Sequence, residues 1–149
     1  NQEENLLQLI ETLDKYPSAP IFHWGHYDKS RLKKEMRRFG LEKKFSSLSH
    51  RFYDLHSILE SQWALPIYSY SLKQVAKYFG FTWSEKGMDG ISATVKYLEY
   101  FTNEFHNQNI IDSLVQYNYD DLRATWLVKN WLCTKREEIT KNRSEKDFK

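Results

Sequence analysis

The sequence predicts an α/β fold in which a few short strands are set among about six helices. Two β-prone runs, Ile21 to Trp24 and Arg51 to Leu55, are bounded by turn-forming residues or residues that favour the start of a helix. Elsewhere, apolar residues recur at intervals of three and four between glycines and prolines. With 149 residues, 40% of them apolar, the chain is long enough to bury a core.

The N-terminal part is predicted to run helix, turn, strand. The apolar residues between Leu6 and Leu13 have helical spacing, and the pattern stops before Pro17. The strand Ile21 to Trp24 follows and ends at Gly25. Asp28 then stands at the turn from a strand to a helix.

The next predicted helix spans Ser30 to Phe39 and ends at Gly40, where a positive φ is easily adopted. The second strand, Arg51 to Leu55, carries Asp54 at or near its end. Further helices are predicted over Ser57 to Leu65, Ser69 to Phe79, Ile91 to Phe105 and from Ile110 onwards. Ser69 or Ser71 is suited to cap the second of these.

Two strands alone make a barely stable sheet, so we expect further strands to lie outside this sequence. The chain is therefore interpreted as a domain over residues 1–134 that is truncated at its N-terminus. Residues 135–149 are charged and lose the apolar stripe, which predicts a disordered tail.

No apolar run approaches the roughly 18 residues that a membrane span needs, and residues 1–5 do not resemble a signal peptide. The single cysteine, Cys133, cannot form an internal disulfide bond, which fits a reducing, cytoplasmic location. It follows Trp131 and Leu132 and is predicted to be a small core residue.

Charge is distributed unevenly along the chain, whose net charge is only +2. The stretch from Lys29 to Arg51 contains nine basic residues and only two acidic ones. Such a stripe suits a nucleic-acid backbone, although solvated surface helices also carry basic residues. The candidates for phosphate contacts are Lys29, Arg31, Lys33, Lys34, Arg37 and Arg38.

Tyr117 and Asp121 are four residues apart in the last predicted helix and therefore share one of its faces. A carboxylate can hold a divalent cation while a phenol aligns a water for attack on a phosphate. A second cluster holds His23, His26 and Asp28 beside the first strand. These three could also ligate a transition metal, which leaves two interpretations of this cluster open.

Several blocks, in this order, carry a family resemblance: Phe22 to Asp28, Arg51 to Leu55, Pro66 to Lys73, Tyr78 to Phe81, and Tyr117 to Asp121 followed by Ala124 and Thr125. Together they resemble the C-terminal domain of RecB-like nucleases. That domain is similar to the YprB-type ribonuclease-H-like group of the DEDD exonuclease superfamily. The resemblance implies a ribonuclease-H-like exonuclease fold.

The resemblance places the second DEDD motif on Asp28 and the third, a Tyr-x-x-x-Asp motif, on Tyr117 and Asp121. It implies that Asp28 and Asp121, with an acid pair upstream, hold two Mg²⁺ or Mn²⁺ ions for 3′→5′ hydrolysis of single-stranded DNA or RNA. Supporting roles are expected for Asp54, Asp120 and His23, although Asp54 is also suited to cap a helix.

The first motif, Asp-x-Glu, does not occur in residues 1–21. We therefore expect the metal site to be completed by the N-terminal remainder of the same polypeptide, and this chain alone to be inactive. Two further interpretations stay open. One is an inactive nucleic-acid-binding or scaffolding module of a RecB-like nuclease, and the other is a purely structural domain that positions a separate nuclease core.

Overall fold

A computed structural model describes residues 1–84, 87–102 and 107–146, with the side chains of the last helix described as far as residue 141. The chain divides into two compact units, Asn1–Ala64 and Leu65–Lys149. Each unit is described by itself.

The first unit has two strands and four α-helices: α1 (Gln2–Asp14), β1 (Ile21–His23), α2 (Tyr27–Arg38), α3 (Glu42–Leu48), β2 (Phe52–Asp54) and α4 (Leu55–Gln62). A 3₁₀ turn, Ser49–Arg51, leads into β2. The strands pair in parallel, with Ile21 opposite Phe52 and His23 opposite Asp54. This register brings the carboxyl ends of both strands to one edge, where open α/β sheets carry functional side chains.

The core of the first unit forms where α1, α2 and α3 present apolar residues to each other. Leu6 and Ile10, one helical turn apart on α1, pack with Met36, Phe45 and Leu48. Each fully buried side chain of this size contributes roughly 1.5–3 kcal/mol to folding. Phe52, the first residue of β2, packs against this core.

Arg51 is the principal polar anchor of the first unit and is only 6% exposed. Its guanidinium donates to the carbonyls of Leu13, Tyr16 and Ala19 at 3.2, 2.8 and 2.9 Å. These carbonyls belong to the end of α1 and the turn before β1, where those of Leu13 and Tyr16 also accept a turn N–H at 3.3 and 3.1 Å. Arg51 therefore fixes the entry into β1 and is not a surface phosphate ligand.

The second unit contains α5 (Leu72–Tyr78), α6 (Gly90–Thr102) and α7 (Gln108–Lys146). Both α5 and α6 contact α7. The Phe79 ring after α5 lies 4.7 Å from the Trp131 ring of α7. A second core cluster joins Met88 to Leu114 and Tyr117, with Trp83 packed against it. The loop between α5 and α6 is thereby held against α7.

The structure confirms both predicted strands and the helix after each of them. It adds α3, which the sequence analysis missed because this seven-residue helix buries only Phe45 and Leu48. Ser71 is the cap of α5, accepting from the Gln74 N–H at 3.3 Å. Part of the predicted helix Ile91 to Phe105, residues 103–106, lies outside the described residues.

Helix α7 continues to Lys146, into the charged segment that begins at residue 135. The prediction that Cys133 is a core residue is wrong: Cys133 is exposed, because it points away from the side of α7 that buries Ala124 and Val128. The boundary of a separate tail stays a prediction. Within the described ranges, no helix is long and apolar enough to cross a bilayer.

Candidate functional site

The Tyr117–Asp121 pair lies on the side of α7 that is covered by the α5–α6 loop. Tyr117 is 9% exposed and belongs to the core cluster with Met88 and Leu114, while Asp121 is partly buried. The two side chains are close enough for each to influence the pKa of the other. The two residues therefore share one face of α7, as their spacing predicts.

Trp83 fixes the position of the Asp121 carboxylate. The indole Nε1–H donates to Asp121 Oδ1 at 2.8 Å across a sequence separation of 38 residues. The Trp83 ring packs on the core cluster and meets the Phe81 ring edge-on at 4.8 Å. Because the indole is held by packing, its N–H defines the rotamer of Asp121 before any ligand binds.

Lys73, from the first turn of α5, places its ammonium beside the same pair. Its Nζ lies 5.3 Å from the centroid of the Tyr117 ring and 5.7 Å from that of Trp83. Both distances are within the range of a cation–π contact. The site thus has a phenol, a carboxylate, an indole N–H and an ammonium supplied by three segments of the second unit.

Burial dominates the electrostatics of this site. It raises the pKa of Asp121 above its ordinary value, and the hydrogen bond from Trp83 and the charge of Lys73 oppose that rise. Burial also raises the pKa of Tyr117, and the nearby charges of Asp121 and Asp89 add to the effect. The Tyr117 hydroxyl therefore stays protonated at neutral pH and can donate a hydrogen bond.

Asp120, adjacent to Asp121, is fully buried. Its Oδ2 accepts from the Ser84 N–H at 2.7 Å, and its Oδ1 accepts from Gln116 Nε2 at 3.2 Å. The Arg123 guanidinium lies 3.7 Å from Oδ1. These contacts tie the α5–α6 loop to α7, so Asp120 supports the site through the loop that carries Trp83.

In the first unit, His23 and Asp54 lie at the paired strand ends. The Nδ1–H of His23 donates to the Gly25 carbonyl at 2.6 Å, which sets the tautomer, since a carbonyl can only accept. Asp54 Oδ1 accepts from the Gly25 N–H at 2.8 Å and from the His56 N–H at 3.0 Å. Asp54 is therefore the N-cap of α4 and a link to the β1–α2 turn.

The charge of Asp54 is stabilised by its donors. Desolvation raises the pKa of Asp54, but hydrogen bonds from Ser57 and Gly25 and the proximity of His23 outweigh it and hold the pKa below its ordinary value. Gly25 has a φ of 68°, a conformation that most other residues adopt only with strain. This geometry presents its N–H to Asp54 and its carbonyl to His23.

Asp28 is exposed in the first turn of α2. It forms no hydrogen bond or ion pair with any residue that the structure describes. It lines a groove of about 400 Å³ between α1 and α2 that also includes Leu6, Leu9 and Tyr27. Its position in the first turn of α2 places the carboxylate near the positive end of the helix dipole.

The alternative metal site at His23, His26 and Asp28 does not form. His23 is buried and engaged with Gly25, whereas His26 and Asp28 are exposed at the start of α2. No group of three or more His, Cys, Asp or Glu side chains among the described residues is arranged to hold a metal ion. The transition-metal interpretation of this cluster is therefore wrong.

The six basic candidates on α2 divide into two groups. Lys29 donates to the Ser49 carbonyl at 3.4 Å, and Arg31 and Arg38 lie 3.1 and 3.7 Å from Glu35. The other three, within the part of the chain that the structure describes, have no acidic partner, and all are exposed: Lys33, Lys34 and Arg37. Their charge is available to a polyanion.

Carboxylate oxygens from Asp28 and Asp121 are the donors that Mg²⁺ and Mn²⁺ prefer. The two residues belong to different units, and neither unit provides a group of three ligands among its described residues. The chemistry of these donors therefore fits a divalent cation. Among the described residues, however, each unit supplies too few ligands to complete a site.

The fold and the Tyr-x-x-x-Asp pair define an α/β domain with residues suited to phosphodiester chemistry. The family model of the RNase_H superfamily matches residues 1–133, and the chain belongs to that superfamily. It is therefore a nuclease-like domain of a kind that processes nucleic acids. Comparison with curated proteins and with solved structures found no significant match.

Lys73 and Trp83 are not among the site residues that the sequence predicts. Lys73 stands in a block, Pro66 to Lys73, that contributed to the family resemblance, and this was the available signal for it. Trp83 stands in a polar loop, and nothing local indicates that its indole reaches Asp121. The roles of Tyr117, Asp121 and Asp28 in catalysis stay predictions.

Proposed function

We propose that this chain forms part of a metal-dependent exonuclease that removes nucleotides from the 3′ end of a single strand. The observation that carries the proposal is the Tyr117–Asp121 pair of α7, whose carboxylate is held by the Trp83 indole at 2.8 Å. Membership of the RNase_H superfamily supports the nucleic-acid substrate. Direction of cleavage and metal dependence follow from the resemblance to the tyrosine class of DEDD exonucleases.

In this proposal Tyr117 orients the attacking water. A protonated phenol both donates and accepts a hydrogen bond, so it can hold a water on one side while it bonds to Asp121 on the other. Asp121 and Asp28 would be ligands of Mg²⁺ or Mn²⁺. A bound ion would supply an activated water and neutralise charge on the phosphate.

A second candidate function is a nucleic-acid-binding module that does not cleave. The exposed charges of Lys33, Lys34 and Arg37 favour it, because they are unpaired within the described residues and stand on one helix. The incomplete ligand set in each unit is also consistent with it. This candidate needs neither Tyr117 nor Asp121 for its activity.

The two candidates are separated by degradation of a 5′-labelled single strand in Mn²⁺ by the natural full-length polypeptide. We expect Asp121→Asn and Tyr117→Phe to slow stepwise shortening from the 3′ end by at least about a hundredfold. The matched control is Asp112→Asn, an exposed acid of α7 that accepts from Gln108 Nε2 at 2.9 Å.

The control should degrade the strand as the wild type does. Equal degradation by wild type and Asp121→Asn would contradict the catalytic proposal. Binding of the strand without degradation by any of the proteins would favour the binding module. Thermal unfolding of each variant, followed by circular dichroism, identifies any loss of activity that comes from loss of fold.

A further inference from the structure

Lys73 is held at the site by two aromatic rings that themselves belong to it. The Tyr117 ring is 5.3 Å and the Trp83 ring 5.7 Å from its ammonium nitrogen. Tyr117 is buried in the core cluster and Trp83 packs against the same cluster, so both rings are fixed. The two rings therefore favour a position of the lysine ammonium in which its charge acts on Asp121.

The ammonium of Lys73 has donors that no residue described by the structure accepts. Among the described residues it makes no hydrogen bond and no ion pair, although the side chain is partly buried. Asp121 and Asp89 are near enough to feel its charge, but neither forms a salt bridge with it. As far as the described residues go, its three N–H groups are therefore available for a ligand that carries negative charge.

A lysine that only neutralises a neighbouring acid contacts it directly. Lys44 does so with Asp14, and Lys135 with Glu138, each at 2.6 Å. The Lys73 ammonium instead lies over two rings, and one of them belongs to Tyr117, which we propose orients the water. A lysine placed in this way is suited to bind an anionic ligand, whereas a lysine that forms a direct ion pair is not.

We propose that Lys73 binds a non-bridging oxygen of the phosphate next to the terminal nucleotide. The inference rests on the proposed function, because that function places the end of a strand beside Tyr117 and Asp121. A lysine ammonium binds phosphate as a point charge, and a hydrogen bond between charged groups changes affinity by about tenfold or more. Loss of Lys73 should therefore affect this one linkage and leave the rest of the strand unaffected.

The test compares the affinity of the natural full-length polypeptide for two single strands in EDTA, where no hydrolysis occurs. One strand has only phosphodiester linkages, and the other has an uncharged methylphosphonate at its 3′-terminal linkage. The measured quantity is the ratio of the two affinities. We expect this ratio to fall about tenfold in Lys73→Met and in Lys73→Gln, and to be retained in Lys73→Arg.

Lys77, one turn further along α5 and exposed, provides the matched control. Lys77→Met should keep the wild-type ratio, because its side chain contacts neither ring of the site. An unchanged ratio in both Lys73→Met and Lys73→Gln would overturn the inference, as would a wild type that binds neither strand.

Failure of the proposed function gives a different result. If the wild type never degrades a strand in Mn²⁺ but its affinity ratio still depends on Lys73, the phosphate contact stands and the catalytic proposal falls. If degradation depends on Asp121 but the ratio is independent of Lys73, the catalytic proposal stands and the phosphate contact falls. The two outcomes are read from separate assays.

Discussion

Replacing Asp54 by alanine tests whether this carboxylate is a structural cap. Asp54 Oδ1 accepts from the N–H groups of Gly25, His56 and Ser57 at 2.8, 3.0 and 3.5 Å, and Oδ2 accepts from the Ser57 hydroxyl at 2.8 Å. The substitution removes the N-cap of α4 and the link to the turn after β1. Both losses act on folding and neither requires a role in catalysis.

The expected loss follows from these contacts. Removal of an N-cap costs about 1 kcal/mol, and loss of the partly buried Gly25 hydrogen bond to a charged acceptor costs about 1–2 kcal/mol more. Asp54→Ala should therefore lower the free energy of unfolding by about 2–3 kcal/mol. The matched control is Asp28→Ala, whose exposed carboxylate contributes under about 1 kcal/mol through the helix dipole.

The effect of pH has a definite sign. The pKa of Asp54 in the folded chain lies below the unfolded value of 3.8, since its hydrogen bonds and His23 outweigh the desolvation that raises it. The stabilisation by the charge is therefore fully present above the unfolded pKa and is lost as pH falls through the folded one. The difference in stability between wild type and Asp54→Asn should shrink as the pH falls below 3.8.

Urea denaturation at neutral and acidic pH measures these free energies, and amide hydrogen exchange at Gly25 reports the local link. Protection of the Gly25 amide should fall in Asp54→Ala and remain in Asp28→Ala. A stability change below about 0.5 kcal/mol at neutral pH, the size of an ordinary surface substitution, would refute the capping role. Unaltered protection at Gly25 would refute the link between β2 and the turn after β1.

Two further predictions separate structural from ligand-binding basic residues. Arg51→Met should lower the free energy of unfolding in urea by about 3 kcal/mol, because three carbonyls lose a buried charged donor, while the salt dependence of single-strand binding stays unchanged. A stable Arg51→Met variant would contradict this role. Replacing Lys33, Lys34 and Arg37 together by glutamine should reduce the slope of log affinity against log salt concentration by about 2, with unfolding nearly unchanged. An unaltered slope would show that the strand does not follow this face of α2.

The parts of the fold that depend on neighbours in sequence were predictable. The two strands could be located because each is a short β-prone run closed by a turn or helix start, and Ser71 could be proposed as a cap because its partner Gln74 is three residues away. Asp54 was predicted both as a site residue and as a cap, and its contacts with His56 support the cap.

The contacts that build the candidate site were not predictable in the same way. Trp83 reaches Asp121 across 38 residues, and Lys73 reaches the Tyr117 ring across a comparable separation. Such contacts depend on how α5 and its loop pack on α7, which no local pattern specifies. The exposed Cys133 shows the same limit, because its spacing from Trp131 did not reveal which side of α7 would be covered.

The consecutive acids Asp120 and Asp121 show how the helix assigns different roles to identical side chains. A rotation of about 100° separates them on α7. It buries Asp120 completely among the Ser84 N–H, Gln116 and Arg123, where its oxygens are committed to the fold. The same rotation leaves Asp121 partly buried, and its carboxylate accepts a hydrogen bond from the Trp83 indole.

A buried carboxylate whose two oxygens already have partners would have to break those bonds to bind a cation, and the cost of leaving the donors unpaired opposes that exchange. The Asp121 carboxylate is less committed to the fold, because among the described residues the Trp83 indole is the one geometrically defined hydrogen-bond donor to it, at Oδ1. If one acid of the pair acts on a substrate, it is therefore Asp121. Asp120 then acts through the loop, since the Ser84 N–H that it holds follows directly after the tryptophan that orients its neighbour.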